Sequence, residues 1–506
     1  INMGNALKGV IFKEPSRDLQ NTIVSLLDQG KYVRPIDIAK AAISLLKLEP
    51  NLQKHLQLGD DEIIQNPLGI ISDLSSLSLL LKLMSVCPLP DLELERLFTK
   101  LRFSILSNIP SLRDPSTELL KFQSALALQC FTNEYVYNHT EEEKEILQLL
   151  ETSVRKSLES NEQPSPQIIL AIASYKALNE YDWYDLLVTT EHVQDVFSRQ
   201  IEEPQKEKKL KLDLPILEEI TDSVSSKVRD QYEESPYPRW VNLGLRLKPT
   251  SISKVVSESN LKLHNYKITE VEKPEILIAG CGTGQHSIET AKRFKSSNVL
   301  AIDLSLSSLA YAKRKTEELA IMNIQYMQAD ILDLGQLKKK FDIIESAGVL
   351  HHMDDPMAGW KVLTDCLKPG GLMKIGLYSE LARKNLIQIR QEIKKSGAPS
   401  TAVSMKSVRS DIINSEKAHH IQIQHSADFF SLSSLRDLLF HVQEYRFTIP
   451  EIRDCLDELG LVFCGFESDQ LVRYFKNINT GSDDPYNLDK WNSFEQTNPH
   501  SFAAMY

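Results

Sequence analysis

Apolar residues recur at i, i+3 and i+4 over Asp18–Asp28, Pro35–Leu48, Ser76–Ser85, Leu92–Ser107, Thr117–Tyr137, Glu141–Leu158 and Gln167–Leu178. That period places one apolar stripe on each helix and predicts an all-α layer from about Asp18 to Arg199. The breaks carry Pro, Gly, Asn and Asp, as in Cys87–Asp91 and Asn161–Pro166. Thr140 before Glu141–Glu143 reads as an N-cap with carboxylates in the first turn. From Ser253 the period changes. Short apolar runs at Glu275–Ala279, Asn298–Asp303, Ile324–Gln328, Phe341–Ser346 and Gly371–Tyr378 alternate with helical stretches such as His286–Phe294, Ser307–Leu319 and Met357–Leu367. Strands buried on both faces and separated by helices predict a doubly wound α/β fold with a mostly parallel sheet.

A charge-dense stretch, IEEPQKEKKLKLD at 201–213, divides the two patterns and reads as a solvated linker. The expected organisation is an all-helical domain over 1–200, a linker over 201–214, a cap segment over 215–252 and an α/β domain over 253–506. The cap starts with a lead-in helix from Pro215 to Glu234 and ends in a turn rich in Tyr, Pro, Arg and Trp. Within the α/β domain, 380–449 is an insertion leaving the carboxyl edge of the sheet, the side on which such folds bind ligands.

Composition narrows the function classes. Fifty-eight Lys and Arg against 69 Asp and Glu give a net charge of −11, which argues against nucleic acid or an anionic membrane as partner. No apolar run reaches the ~18–20 residues of a membrane span. Six Cys without paired spacing read as free thiols, so a cytoplasmic location is expected. No Cys/His group has metal-ligand spacing, and no metal is expected. The chain opens on Ile1 rather than Met and is read as a piece of something longer.

The strongest chemical signal is Glu275-Ile-Leu-Ile-Ala-Gly280-Cys-Gly282-Thr-Gly284-Gln-His286, a buried strand running through alternating glycines into a helix. Glycine there permits a sharp turn and close approach of a ligand to the free N–H groups of the helix start. Gln285 interrupts the G-x-G-x-x-G spacing of a nicotinamide site. Asp303 ends the second strand, where an acid can bind vicinal ribose hydroxyls. Asp330 follows the third, placed for an exocyclic amine. Each acid alone also suits a helix cap or a surface turn. Both on one sheet edge suit a nucleoside.

Gly280-Cys-Gly-Thr-Gly284, Asp303, Gln328-Ala-Asp330, Phe341–His352 and Leu367-Lys-Pro-Gly-Gly371 together resemble the ordered motifs of class I S-adenosylmethionine-dependent methyltransferases. One departure is Ile278, where the family often carries an acid. Asp230–Trp240, Ile375–Arg383 and Asp437–Glu444 look like bacterial methyltransferases fused behind tetratricopeptide repeats, and Asn2–Lys8 is similar to the start of such a repeat. The resemblance implies a seven-stranded Rossmann-like sheet preceded by the helical domain. It implies S-adenosylmethionine as cofactor and S-adenosylhomocysteine as product. The cofactor contacts it implies are Gly280, Cys281, Gly282, Gly284, Gln285, His286, Asp303, Leu304, Asp330, Ile331 and Ala347. In that sheet Leu461–Glu467 becomes the sixth strand, Gln470–Lys476 a short helix, and Phe502–Tyr506 the antiparallel seventh.

A sulfonium is already an activated methyl donor, so the protein needs only to align an acceptor and, for some acceptors, to remove a proton. His351, just past the fourth strand, is the preferred general base, with Glu345 and Tyr232 as further catalytic candidates. Substrate-binding candidates are Tyr237, Arg239, Tyr378, Arg383, Asp428 and His441, with His425 and Arg446 in the same insertion. The expected acceptor is a protein or peptide side chain. A small metabolite, or a helical interaction protein with a vestigial cofactor domain, remain as alternatives, and the oligomeric state is left open.

Overall fold

The computed structural model describes residues 2–109, 115–478, 484–502 and 505–506. These form two compact units: residues 1–206, 239–245 and 397–438 in one, and 207–238, 246–396 and 439–506 in the other.

The first unit is helical. Arg17–Asp28, Pro35–Leu46, Leu92–Asn108 and Thr117–Thr132 are helices whose apolar stripes meet in a core containing Ile23, Leu27, Ile38, Leu45, Phe98 and Phe122, while the helix Glu141–Glu159 buries Val154 and Leu158 in a separate cluster. Thr140 caps the last of these, its hydroxyl accepting the Glu143 N–H while Glu143 accepts the Thr140 N–H. Short helices escaped the periodicity, among them Pro50–Leu56, Asp60–Gln65 and Pro67–Ser75. Each has too few turns to show a stripe, and two start on a proline at the first helical position. The stretch expected as a solvated linker is helical over Glu203–Leu212. Residues 397–438, read from sequence as part of the substrate-side insertion, pack in this unit. There Arg409 grips Glu95 with two bonds of 2.6 Å and donates to the Phe429 carbonyl at 2.7 Å.

The second unit is a doubly wound sheet of five parallel strands: β1 (Glu275–Ala279), β2 (Asn298–Asp303), β3 (Ile324–Gln328), β4 (Phe341–Ala347) and β5 (Leu367–Gly376), in the order β3-β2-β1-β4-β5. Strand β5 starts earlier than its sequence suggests. Phe341 faces Leu367 and Ile343 faces Leu372, so Pro369-Gly370-Gly371 bulges within the strand. The strand order reverses between β1 and β4, which opens a crevice at their carboxyl ends. The expected lead-in helix is shorter, Ser223–Glu234. Upstream of it, Leu217 donates to the Gln328 carbonyl and Gln328 donates to that of Pro215, extending the ladder beside β3.

The expectation of seven strands is corrected to five among the described residues. Leu461–Glu467 makes no ladder; its backbone accepts from Lys262 at Cys464 instead. Gln470–Lys476 lies in the helix Asp469–Ile478, as its spacing predicts. Met505 bridges Tyr378 antiparallel and Tyr506 N–H donates to the Leu377 carbonyl, a contact too short to count as a strand. Ala503 and Ala504 lie outside the described residues. No single helix among the described residues is long and apolar enough to cross a membrane.

Candidate active site at the carboxyl edge of the sheet

The loop after β1 turns because three glycines take positive φ: +75° at Gly280, +49° at Gly282 and +89° at Gly284. Gly280 and Cys281 both donate to the Ile302 carbonyl at 2.9 Å, tying the loop to β2. A Cβ at Gly284 would meet that of Ala312 at 2.6 Å, so the glycine also lets the helix Gln285–Arg293 approach its neighbour. A Cβ at Gly280 would collide with Val349, which places the loop after β4 against the loop after β1. The Cys281 thiol is buried, and burial pushes its pKa well above the usual range.

Asp303 joins this loop to the end of β2. Its carboxylate accepts the Gly282 N–H at 2.7 Å and the Ser305 N–H at 3.0 Å. Loss of water around it pushes its pKa up to about 6 despite those two bonds. Leu304 accepts from the Gln328 amide at 2.7 Å. Asp330 is buried and accepts the Leu332 N–H at 3.0 Å, capping the short helix Ile331–Leu337, with Ile331 buried beside it. Ala347, half-buried, ends β4.

The cap segment is pinned over the same edge by a residue the sequence reading missed. Glu233 accepts the Leu306 N–H at 2.5 Å and the Ser307 hydroxyl at 2.6 Å, and pairs with Lys211 at 2.6 Å. It acts as an N-terminal cap supplied from another helix, and the signal for it was only a second acid beside Tyr232. That grip carries Tyr232 to Ser305, whose hydroxyl donates to the Tyr232 carbonyl at 3.1 Å. The Tyr237 carbonyl comes down over Gly282, and the Thr283 hydroxyl donates to the Pro238 carbonyl.

From the Tyr232 hydroxyl a column of rings crosses the edge of the sheet. His441 Nε2 lies 3.1 Å from that hydroxyl, and its Nδ1 accepts the Gln443 N–H. His352 stacks on His441 at 3.6 Å, with Nδ1 2.7 Å from the Gln443 carbonyl. His351 touches His352 edge-on at 4.4 Å and stacks on Tyr378 at 3.7 Å. The Arg383 guanidinium covers Tyr378 at 3.6 Å and grips the buried Glu444, which Arg390 also approaches at 3.3 Å. Burial, then neighbouring positive charge, holds both His351 and His441 well below the ordinary histidine pKa, so both rings are neutral.

The fold therefore brings Tyr232, Tyr237, His351, Tyr378, Arg383 and His441 to one edge. Arg239 and Asp428 belong to the helical unit, where Arg239 pairs with Glu134 at 3.1 Å. Glu345 is placed differently from a poised base. It accepts the Thr290 hydroxyl at 2.5 Å and lies 2.7 Å from His286 Nε2 and 3.7 Å from Arg293. These partners outweigh its burial and hold its pKa well below the carboxylate range, which makes it a weak proton acceptor. Gln285 and His286 start the helix after the glycine loop, so His286 links that helix to β4.

Residues 276–371, spanning β1 to the bulge of β5, match the family described as a methyltransferase domain. Among curated proteins, the chain is 29% identical over 239 residues to an uncharacterized protein of Synechococcus sp., covering 44% of this chain and 57% of the relative. It is 32% identical over 132 residues to the ubiquinone biosynthesis O-methyltransferase of Coxiella burnetii, covering 26% of this chain and 53% of the relative. It thus spans little more than half the length of either. Among solved structures, PKMT2 from Rickettsia typhi aligns at 17% identity and a TM-score of 0.36, covering 47% of this chain and 48% of the other. The site fits the cofactor such a domain uses: glycines whose Cβ atoms would fill the cradle, an acid at the end of β2 for a ribose, and a buried acid after β3. Residues 276–371 thus match a methyltransferase domain, and the residues present fit S-adenosylmethionine as its cofactor.

Proposed function

We propose that this protein transfers a methyl group from S-adenosylmethionine to an acceptor lying over the carboxyl edge of its sheet. The observation that carries the reading is Asp303 bonded to the N–H of Gly282 within a positive-φ glycine loop, inside the matched segment. Gly280, Cys281, Gly282, Gly284, Gln285 and His286 border the cofactor from β1, with Asp303 and Leu304 at its ribose. Asp330, Ile331 and Ala347 close the remaining side. Bound there, the sulfonium supplies an already activated methyl group. The work of the chain's own residues is then alignment, exclusion of water and, where the acceptor requires it, removal of a proton.

Tyr232, Tyr237, Tyr378, Arg383 and the histidine column border the acceptor. His352 Nδ1 lies 2.7 Å from the Gln443 carbonyl, which holds that ring in the column. A decayed cofactor site on an interaction protein would have no reason to keep three positive-φ glycines and both acids in register.

For the acceptor we infer a protein or peptide side chain, in keeping with the resemblance to bacterial enzymes fused behind tetratricopeptide repeats and with a cytoplasmic setting. A small oxygen nucleophile is the second reading, favoured by the O-methyltransferase relative. The test is incubation with isotopically labelled S-adenosylmethionine in a cell lysate, followed by separation of macromolecules from small molecules. Label in protein supports the first reading, and label in extractable metabolites the second. Absence of both label and S-adenosylhomocysteine, in a chain that binds the cofactor, overturns methyl transfer.

A further inference from the structure

The tautomer of His351 specifies what the methyl acceptor must present. Its Nδ1 accepts the Tyr378 N–H at 3.2 Å, so the ring proton of the neutral imidazole is on Nε2. The residue is 0% exposed, and among the described residues Nε2 has no hydrogen-bond partner. A buried N–H without an acceptor is destabilising, so its retention here calls for a partner brought by a ligand. The ring is fixed in orientation by its stack on Tyr378 and its edge contact with His352. It lies two residues beyond Val349, the residue packed against Gly280 of the cofactor loop. Arg383, Arg390 and Arg446 gather around Glu444, and the Arg383 charge is felt at the ring.

We propose that His351 is a substrate-binding hydrogen-bond donor, and that the methyl acceptor presents to its Nε2–H an oxygen with free lone pairs, on a carboxylate, amide or hydroxyl group. The proposal rests on the methyl-transfer reading and replaces the general-base role that the position of His351 in the sequence suggests. A base at Nε2 would need the lone pair that this tautomer lacks. A primary amine with no neighbouring oxygen does not satisfy the site.

Two measurements test it. Nitrogen NMR on the full chain with labelled histidine, the His351 signal assigned by its loss in His351→Gln, should show a neutral ring protonated at Nε2 at pH 7. A ring protonated at Nδ1, or charged, overturns the proposal whatever the enzyme does. Labelled methyl transfer into lysate should then fall about tenfold or more in His351→Ala. It should recover to within about fivefold of the parent in His351→Gln, whose amide keeps a donor near the Nε2 position, with S-adenosylhomocysteine affinity equal in all three. Undiminished transfer by His351→Ala at equal cofactor affinity overturns the donor role. A parent chain that transfers no label overturns methyl transfer itself, and with it the acceptor assignment, while the NMR result separately decides the tautomer.

Discussion

The carbonyl oxygen of Tyr237 lies so close over Gly282 that a Cβ at position 282 would stand 2.8 Å from it. The cap and the cofactor loop are thus fitted backbone to backbone, with no flexible side-chain end to give way. Gly282→Ala meets both this contact and a φ of +49°. It should destabilise the chain by about 1–3 kcal/mol and weaken S-adenosylhomocysteine binding by about tenfold or more. Calorimetric titration beside urea unfolding separates the two effects, and a variant that binds normally would show that the cap does not bear on the loop.

Asp303 should make cofactor binding depend on pH. A ribose diol donates to the ionised carboxylate, and the folded chain holds this carboxyl at about 6. Affinity should therefore be full above pH 7 and fall as pH drops through about 6. Asp303→Asn should bind about tenfold or more weakly, and without that dependence. In the cofactor-free chain the stability effect has its own sign. The folded pKa lies above the ordinary aspartate value of 3.8, so this group's contribution is fully present at low pH and lost as pH rises from about 4 to about 6. Melting curves of parent and variant across that range check it.

Glu345 shows the opposite sign. Its pKa is depressed by His286 and Arg293, so its stabilisation is present above the ordinary glutamate value of 4.5 and declines as pH falls through and below it. Glu345→Gln weakens the charge-assisted contacts to His286 and to the half-buried Arg293, which keeps Glu467 at 2.8 Å, and should cost about 2 kcal/mol at pH 7. The gap between variant and parent should narrow toward pH 4 in urea unfolding. A constant gap would mean that the loss is one of packing rather than charge.

In the helical unit, Arg409 and Glu95 form a doubly bonded, nearly buried pair. Removing one partner, as in Glu95→Ala, should destabilise that unit by about 3–5 kcal/mol, because it leaves a charge buried and unmatched. The double replacement Arg409→Met with Glu95→Leu should recover most of the loss. Unfolding followed by tryptophan fluorescence measures both, and equal losses in single and double variants would show that the pair is not coupled.

Much of the sheet unit was legible because its signals are local. A strand buried on both faces is apolar through its centre, so β1 and β2 stand where the runs of Ile, Leu and Val stand. Glycines at alternate positions after such a strand report a backbone that only glycine adopts easily, and the three positive φ values bear that out. Strand β5 began early because a bulge admits Pro and Gly that a regular ladder excludes. The sixth strand was overread: Leu461–Glu467 has strand-like composition, but a strand also needs a neighbour's backbone, and composition cannot supply one.

Side-chain roles followed a different rule. The sequence alone determined which groups follow β1, β2, β3 and β4, since strand ends fix position along the chain: Gly280, Asp303, Asp330 and His351. Only the tertiary structure decided what each group does there. It tied Glu345 to Thr290, His286 and Arg293, and drew Glu233 to the helix start at Leu306. It also stacked His352 on His441 from a distant segment. Whether an ionisable side chain is a base, a donor or an ion-pair partner depends on the lone pairs and charges within a few ångströms, and those come from residues far away in sequence. The Tyr378 N–H at His351 Nδ1 is such a contact, and it fixes which nitrogen holds the proton.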